Sequence, residues 1–115
     1  MRDSYKVLID DMRDDNGDNN LPRMDFIIRN NKAFNFLKDL LKTIDIVLYL
    51  DHDLGLTPDA HYEKSGYQIL MDMFESGIYP IVIHVVTANP VGRKNIEACL
   101  RYEGYSVNGI GEWTR

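Results

Sequence analysis

The stretch that decides the fold is IDIVLYLDHDLG, residues 44–55. Residues 44–50 are apolar almost throughout, as expected of a strand in a parallel sheet that is covered on both faces. The chain then runs directly into Asp51, His52 and Asp53, two carboxylates around an imidazole. A buried strand that ends in this way predicts a polar site at its carboxyl end.

Strand and helix patterns alternate on either side of this stretch. Short apolar runs predict four further strands, in YKVLID (5–10), MDFIIR (24–29), PIVIHVVT (80–87) and, more weakly, YSVNGI (105–110). Helical spacing of apolar residues predicts three helices, in NNKAFNFLKDLLK (30–42), SGYQILMDMFESG (65–77) and the segment 89–104. The alternation predicts an α/β fold with an open, mainly parallel five-stranded sheet and helices on both faces.

The three predicted helices each carry an apolar stripe. The stripes are Ala33, Phe36, Leu37, Leu40 and Leu41 in the first helix, Ile69, Leu70, Met73 and Phe74 in the second, and Ile96, Cys99 and Leu100 in the third. Gly77 and Gly104 are typical helix ends, and Asn89 followed by Pro90 is a typical helix start. Glu97 and Arg101 have the spacing of an ion pair along one helix face.

The link between the first two strands is irregular. No helical pattern occurs between Asp11 and Met24, so the helix after strand one is predicted to be missing or degenerate. A parallel crossover usually needs a dozen or more residues. The second strand is therefore either an antiparallel edge or a parallel strand that is reached by a tight coil. Within this link, residues 14–20 are rich in Asn, Asp and Gly and predict a solvated loop.

The length, composition and charge of the chain limit the classes of function that it can have. The 115 residues suit one domain, 1–115, and 44% hydrophobic residues indicate a globular chain. The formal charge of −5 argues against a broad nucleic-acid surface, but it leaves room for a small phosphate-containing ligand. The single cysteine and the charged N-terminus predict a reducing cytoplasm, and no apolar run is long enough to cross a membrane.

Carboxylates follow two strands of the predicted sheet. Asp10 and Asp11 end the first strand, and Asp51 and Asp53 follow the third. In the flavodoxin-like strand order these strands are neighbours at the point where strand order reverses, which is where such sheets bind ligands. Four carboxylates at this distance repel one another, and a hard divalent cation relieves that repulsion. The sequence therefore predicts a metal site for Mg²⁺ or Mn²⁺.

Phosphate-binding groups are expected at the same edge. Arg13 follows the acidic pair and Arg29 ends the second strand, where a guanidinium can bind a phosphate through two hydrogen bonds. Thr87 ends the fourth strand, and the next helix begins at Asn89, where backbone N–H groups favour an anion. We predict that these four residues bind a phosphate.

Two histidines are candidates for proton transfer. His52 lies between two predicted metal ligands, but strand alternation turns its side chain away from theirs. His84 lies within the fourth strand, where a lone histidine is more often a packed core residue. The candidate catalytic residues are therefore His52, His84 and Thr87.

With these residues placed, the chain resembles the response-regulator receiver domain. That family has an acidic pair after strand one, an aspartate after strand three and a hydroxyl residue after strand four, which Asp10, Asp11, Asp51 and Thr87 match. Its lysine after strand five is missing here, since YSVNGIGEW contains none. We therefore do not expect an ordinary phosphoacceptor domain.

A narrower resemblance is to the cyclic-phosphate processing receiver-like family. It covers most of the chain and is carried by IDDMR (9–13), Arg29, LDHDLG (50–55), Ser65 with Gly66, and TANPVGRKNI (87–96). The resemblance implies a receiver-like fold and metal-dependent chemistry on a cyclic phosphate, either a cyclic nucleotide or a 2′,3′-cyclic RNA end.

One departure from this family keeps a second function open. The family usually has a histidine directly before the Thr or Ser of the fourth strand, whereas this chain has Val86. His84 lies two residues earlier on the same face, about 7 Å deeper. The alternative is thus a catalytically weak or inactive receiver-like module that binds a protein partner or a nucleotide.

Overall fold

The computed structural model of the chain describes residues 4–10, 23–29, 31–51, 66–86 and 90–115. These residues form six strands and three helices. In chain order they are β1 (Ser4–Asp10), β2 (Phe26–Ile28), α1 (Asn31–Leu41), β3 (Asp45–Asp51), α2 (Gly66–Glu75), β4 (Val82–Val85), α3 (Pro90–Tyr102), β5 (Ser106–Val107) and β6 (Glu112–Thr114).

The strands form one sheet in the order β2-β1-β3-β4-β6-β5. The first four strands of this order are parallel, which confirms the predicted receiver-like, mainly parallel α/β fold. The second strand pairs with β1 in parallel, so the antiparallel alternative is wrong. Residues 11–22, which include the predicted loop and the link without a helix, lie outside the described residues.

The carboxyl-terminal part of the sheet differs from the prediction. Only Ser106 and Val107 of the predicted fifth strand are strand, and they lie at the outer edge. The place beside β4 is taken by β6, which is antiparallel and pairs Trp113 with Ile83. Trp113 is 2% exposed. Burying its large ring favours β6 at this place, and the sheet gains a sixth strand.

Asn108 organises the hairpin between β5 and β6. Its side-chain oxygen accepts hydrogen bonds from the backbone N–H groups of Ile110 and Glu112, each at 3.0 Å. Gly111 has a φ of 84°, a backbone conformation that glycine adopts without steric cost. The turn is therefore built from residue types that favour turns, and it returns the chain to the sheet as a sixth strand.

One face of the sheet forms the core. It contributes alternate residues of the strands, which are Val7 and Ile9 of β1, Ile28 of β2, Ile46, Leu48 and Leu50 of β3, Ile83 and Val85 of β4, and Trp113 of β6. Buried side chains of all three helices join the same cluster, so the described helices pack on this one face. None of these described helices is long and apolar enough to cross a membrane.

The opposite face carries the other set of alternate residues. Leu8 is buried, Tyr49 and His84 are partly buried, and Ile27 is 40% exposed. None of the three described helices packs on it. This face, named here the open face, therefore presents side chains of four adjacent strands without a helix from the described part of the chain.

The apolar stripe of α1 is rotated from its predicted position. Phe34 and Leu41 are each 1% exposed, whereas Phe36 is 87% and Leu40 is 45% exposed. The prediction that Phe36 and Leu40 face inward is thus wrong. Both phases are apolar in this sequence, so periodicity could not choose between them, and packing against the sheet did.

The other two helices follow the sequence prediction. Every residue of their predicted stripes is buried. The glycines after them, Gly77 and Gly104, have φ values of 80° and 94°. The residue after each glycine donates its N–H at 2.9 Å to a carbonyl of the preceding helix, Ile78 to Met73 and Tyr105 to Leu100. This is the glycine-dependent helix end that the sequence predicts.

The phase of α1 can be tested with two phenylalanines of the same helix. Phe34→Ala should lower the free energy of unfolding by about 3–5 kcal/mol, because it leaves a cavity in the core. Phe36→Ala should change it by less than about 0.5 kcal/mol, because that ring is exposed. Urea denaturation of both variants measures the difference, and equal costs would contradict this orientation of the helix.

Candidate functional site

The carboxyl edge of the sheet brings two predicted acidic residues together. β1 and β3 pair in parallel along seven residues, and the last pair joins the Cα positions of Asp10 and Asp51. The next strand ends at the same level, since Val85 pairs with Leu50 and the N–H of Val86 donates to the Leu50 carbonyl at 3.0 Å. This confirms that the first and third strands are neighbours and end side by side.

Most other predicted site residues lie outside the described part of the chain. They are Asp11, Arg13, His52, Asp53, Thr87 and Asn89. For Asp10 and Asp51 the strand position is described, but not the side chain. Among the described side chains, no group of three or more His, Cys, Asp or Glu could hold a metal. The predicted metal set of four aspartates lies outside that search, so it stays a prediction.

Arg29 lies at the same edge as Asp10. It directly follows β2, whose last residue, Ile28, is the Cα partner of Ile9. Its side chain is partly buried. This edge therefore has an arginine directly after β2 and an aspartate at the end of each of β1 and β3, as the sequence predicts.

Arg93 is a cation at this edge that the sequence analysis did not single out. It lies in the first part of α3, and one guanidinium nitrogen donates to the carbonyl of Val85 at 3.0 Å. Another nitrogen lies 3.9 Å from a carboxylate oxygen of Glu97. Its place in NPVGRKNI, soon after the helix start, was the available signal, because that end of the helix lies beside the strand ends.

The predicted pair between Glu97 and Arg101 is absent among the described contacts. Glu97 instead pairs with Arg93, and the Arg101 guanidinium lies 5.3 Å from the centre of the Trp113 ring. Both spacings suit an ion pair on a helix, so sequence could not choose between them. The choice follows from β6, because its tryptophan ring attracts the Arg101 guanidinium.

His84 lies on the open face and not in the core. Its ring stacks on that of Tyr49, with centres 4.6 Å apart and planes at 11°. Its Nε2 lies 3.7 Å from Oε2 of Glu112, and the His84 side chain keeps 25% of its exposure. The interpretation of His84 as a packed core residue is therefore wrong. The two contacts come from neighbouring strands on either side, β3 and β6.

These side chains form an aromatic row, defined here as Tyr49, His84 and Glu112. Glu112 is held at its far end, because Oε1 accepts a hydrogen bond from Nδ2 of Asn108 at 3.1 Å. Burial raises the pKa of Tyr49, and the charge of Glu112 raises it further. The phenol therefore stays neutral and keeps its hydroxyl hydrogen at physiological pH.

Cys99 lies apart from this edge, in the core face of α3. Burial raises the pKa of its thiol, and the charge of Glu103 adds to the effect. Its Sγ lies 3.1 Å from Sδ of Met71. A buried thiol with a raised pKa is a poor nucleophile at neutral pH, so Cys99 is a packing residue.

The comparison with known families adds to this geometry. Residues 5–102 match the cyclic-phosphate processing receiver domain. The chain belongs to this family. The match runs from β1 to the end of α3, so the receiver domain includes the Asp10–Asp51 edge, whereas β5 and β6 lie beyond the matched residues. No curated protein and no solved structure matches the chain.

Two features of this chain lie outside what the family resemblance implies. Val86 stands where the family resemblance implies a histidine, directly after β4 and partly buried. Glu112, which holds His84, belongs to the hairpin outside the family match. Both features concern histidine near the edge: an aliphatic side chain stands at position 86, and the deeper His84 lies 3.7 Å from a carboxylate oxygen of Glu112.

Neutralising Glu112 tests the aromatic row. Glu112→Gln should lower the pKa of Tyr49, because the carboxylate that disfavours the phenolate is gone. The pKa should stay above its ordinary value, because burial is the larger cause. A pH titration of the tyrosine ring signals by NMR measures both effects. As a control, Glu103→Gln removes a charge that acts on Cys99 and Tyr105, and should leave Tyr49 unchanged.

Proposed function

We propose that this receiver domain is a metal-dependent phosphoesterase that binds or acts on a cyclic phosphate, either a cyclic nucleotide or a 2′,3′-cyclic end of RNA. The observation that carries the proposal is the parallel pairing of Asp10 with Asp51 at the carboxyl edge. This edge is also where strand order reverses, because β1 is followed in sequence by β2 on one side and pairs with β3 on the other. Open α/β sheets bind their ligands at this point.

Charge repulsion supports a cation at this edge. Neighbouring strands lie about 4.8 Å apart, so two carboxylates on paired positions destabilise each other unless a cation or a proton intervenes. Asp11 and Asp53, close along the chain, would complete an oxygen-rich set of the kind that Mg²⁺ and Mn²⁺ prefer. Such a metal would polarise a phosphoryl oxygen and lower the pKa of a bound water.

The arginines supply the complementary charge. Arg29 follows β2 beside Asp10, and Arg93 is held at the end of β4 by the Val85 carbonyl. With Arg13, they would stabilise the negative charge that develops on the equatorial oxygens of a phosphate. Thr87 and Asn89 would orient the phosphate from the start of α3. The domain has a net charge of −5, so this local positive charge is needed to hold an anion.

A second function is favoured by Val86. An aliphatic side chain cannot donate a proton to a leaving oxygen, so in this second function the site retains binding and loses turnover. The exposed Phe36 and Leu40 on α1 offer an apolar surface for a protein partner. In this alternative, the domain is a receiver-like module that binds a protein or a nucleotide.

One panel of assays separates the two functions. Purified protein is incubated with 3′,5′-cyclic nucleotides, 2′,3′-cyclic nucleotides and an RNA with a 2′,3′-cyclic end, each with Mg²⁺, Mn²⁺ or a chelator. Metal-dependent opening of one ligand supports the phosphoesterase. Metal-dependent binding without opening supports the module. If no ligand is bound or opened, the result contradicts both the phosphoesterase and a nucleotide-binding module, and it favours a module that binds a protein.

Thermal melting tests the metal. Millimolar Mg²⁺ or Mn²⁺ should raise the melting temperature, because a ligand that binds the native state stabilises it. Asp51→Asn should raise the melting temperature of the metal-free protein and weaken the response to metal, because it removes one repelling charge and one ligand. Asp39→Asn, on the exposed side of α1, is the control and should leave the metal response intact. No response of the wild type would contradict the site.

Restoring the missing histidine tests the role of position 86. Val86→His should increase the turnover of a cyclic phosphate by about 10²–10⁴-fold, the usual value of general acid–base help, with little change in binding. Ile81→His, directly before the opposite end of β4 and 45% exposed, is the control and should not change the rate. Rapid wild-type turnover that His84→Ala abolishes would show instead that His84 is the acid.

A further inference from the structure

The aromatic row on the open face adds a second element to the proposed ligand site. Tyr49 and His84 are Cα partners on neighbouring strands, and their rings stack with centres 4.6 Å apart. This separation is close to the spacing of adjacent strands, about 4.8 Å. The ring planes are therefore perpendicular to the sheet, and each ring face points towards a neighbouring strand. One face of Tyr49 meets His84, and the other is turned towards β1.

An apolar floor lies beneath that second face. Leu8 is the Cα partner of Tyr49 on β1 and is 8% exposed. Beyond it, Ile27 of β2 is the Cα partner of Leu8 and is 40% exposed. A flat ring that stacks on Tyr49 at the usual strand spacing would thus lie over Leu8, with Ile27 at its far side. The ring slot is defined here as the side chains of Tyr49, Leu8 and Ile27.

The ring slot lies beside the acidic edge. Leu8 precedes Asp10 by two residues, and Tyr49 precedes Asp51 by two residues, in strands that share the same register. Two residues of a strand span about 6.6 Å. A ligand whose phosphate lies at the Asp10–Asp51 edge therefore reaches the ring slot with a group one sugar away from that phosphate.

We propose that the ring slot binds the base of a nucleoside cyclic phosphate, by stacking on Tyr49 over Leu8. This inference rests on the proposed function, and it selects ligands with a base over cyclic phosphates without one. Aromatic stacking tolerates any base, because every base has a flat π face. The slot thus favours nucleotides as a class without choosing among the bases.

The rest of the aromatic row fixes the orientation of Tyr49. His84 stacks behind its ring, Glu112 lies against the far nitrogen of His84, and Asn108 holds Glu112 by a hydrogen bond. A ring held in place before the ligand arrives loses little conformational freedom on binding. The hairpin that lies beyond the family match thereby helps to position the Tyr49 ring, through the contact of Glu112 with His84.

Two probe ligands and one substitution test the ring slot. Calorimetric titration of the whole chain with Mg²⁺ compares adenosine 2′,3′-cyclic phosphate with ribose 2′,3′-cyclic phosphate, which has the same phosphate and no base. The adenosine ligand should bind about tenfold more tightly, a typical effect of stacking one base. Tyr49→Leu should reduce this ratio to about one, whereas Tyr49→Phe should keep it because the ring remains.

Tyr102→Leu provides the matched control, because Tyr102 is 88% exposed on α3 and should not affect the ratio. Equal binding of both ligands to the wild type, or an unchanged ratio in Tyr49→Leu, overturns the ring slot and leaves the proposed function standing. Binding of neither ligand overturns both.

A second measurement does not depend on the substitution. On addition of the adenosine ligand, NMR signals of the Tyr49 ring should move upfield, because a stacked base shields them, and the ribose ligand should not move them. If Tyr49→Leu does not fold, this comparison on the wild type decides. Tyr49 signals that respond equally to both ligands overturn the ring slot.

Discussion

The parallel pairing of β1 with β3 is the constraint on which the rest of the structure depends. It runs without interruption from Ser4 and Asp45 to Asp10 and Asp51, so both strands end at the same level. A slip of one residue would turn Val7 and Ile9 out of the core and separate the two aspartates. The burial that fixes the register therefore also fixes the acidic edge. The β1–β3 register thus stabilises the core and also brings Asp10 and Asp51 together.

The two faces of the sheet have different roles in the domain. One face, with all three described helices, holds the hydrophobic cluster that stabilises the fold. The open face carries Tyr49 and His84 in stacking contact, two residues before the strand ends. Side chains on such a face can contribute to ligand recognition because core packing does not occupy them. The proposed ring slot and the proposed metal site are thus adjacent parts of one surface.

The hairpin of β5 and β6 contributes side chains to both faces of the sheet. Trp113 anchors β6 in the core and also faces the Arg101 guanidinium, while its neighbour Glu112 points to the open face and approaches His84. Strand alternation produces both effects, because successive residues of one strand face opposite sides of the sheet. The hairpin therefore stabilises the core with one residue and organises the open face with the next. It does so from outside the residues that match the family.

The sequence by itself determined the family, through motifs such as LDHDLG, and the position of Asp10 and Asp51 at the ends of strands one and three, because the apolar runs stop there at charged residues. Only the tertiary structure decided the phase of α1, where Phe34 and Phe36 are equally apolar and the sheet selects one. It also decided the antiparallel place of β6 and the stacking of His84. These depend on contacts between residues far apart in sequence, which local patterns do not encode.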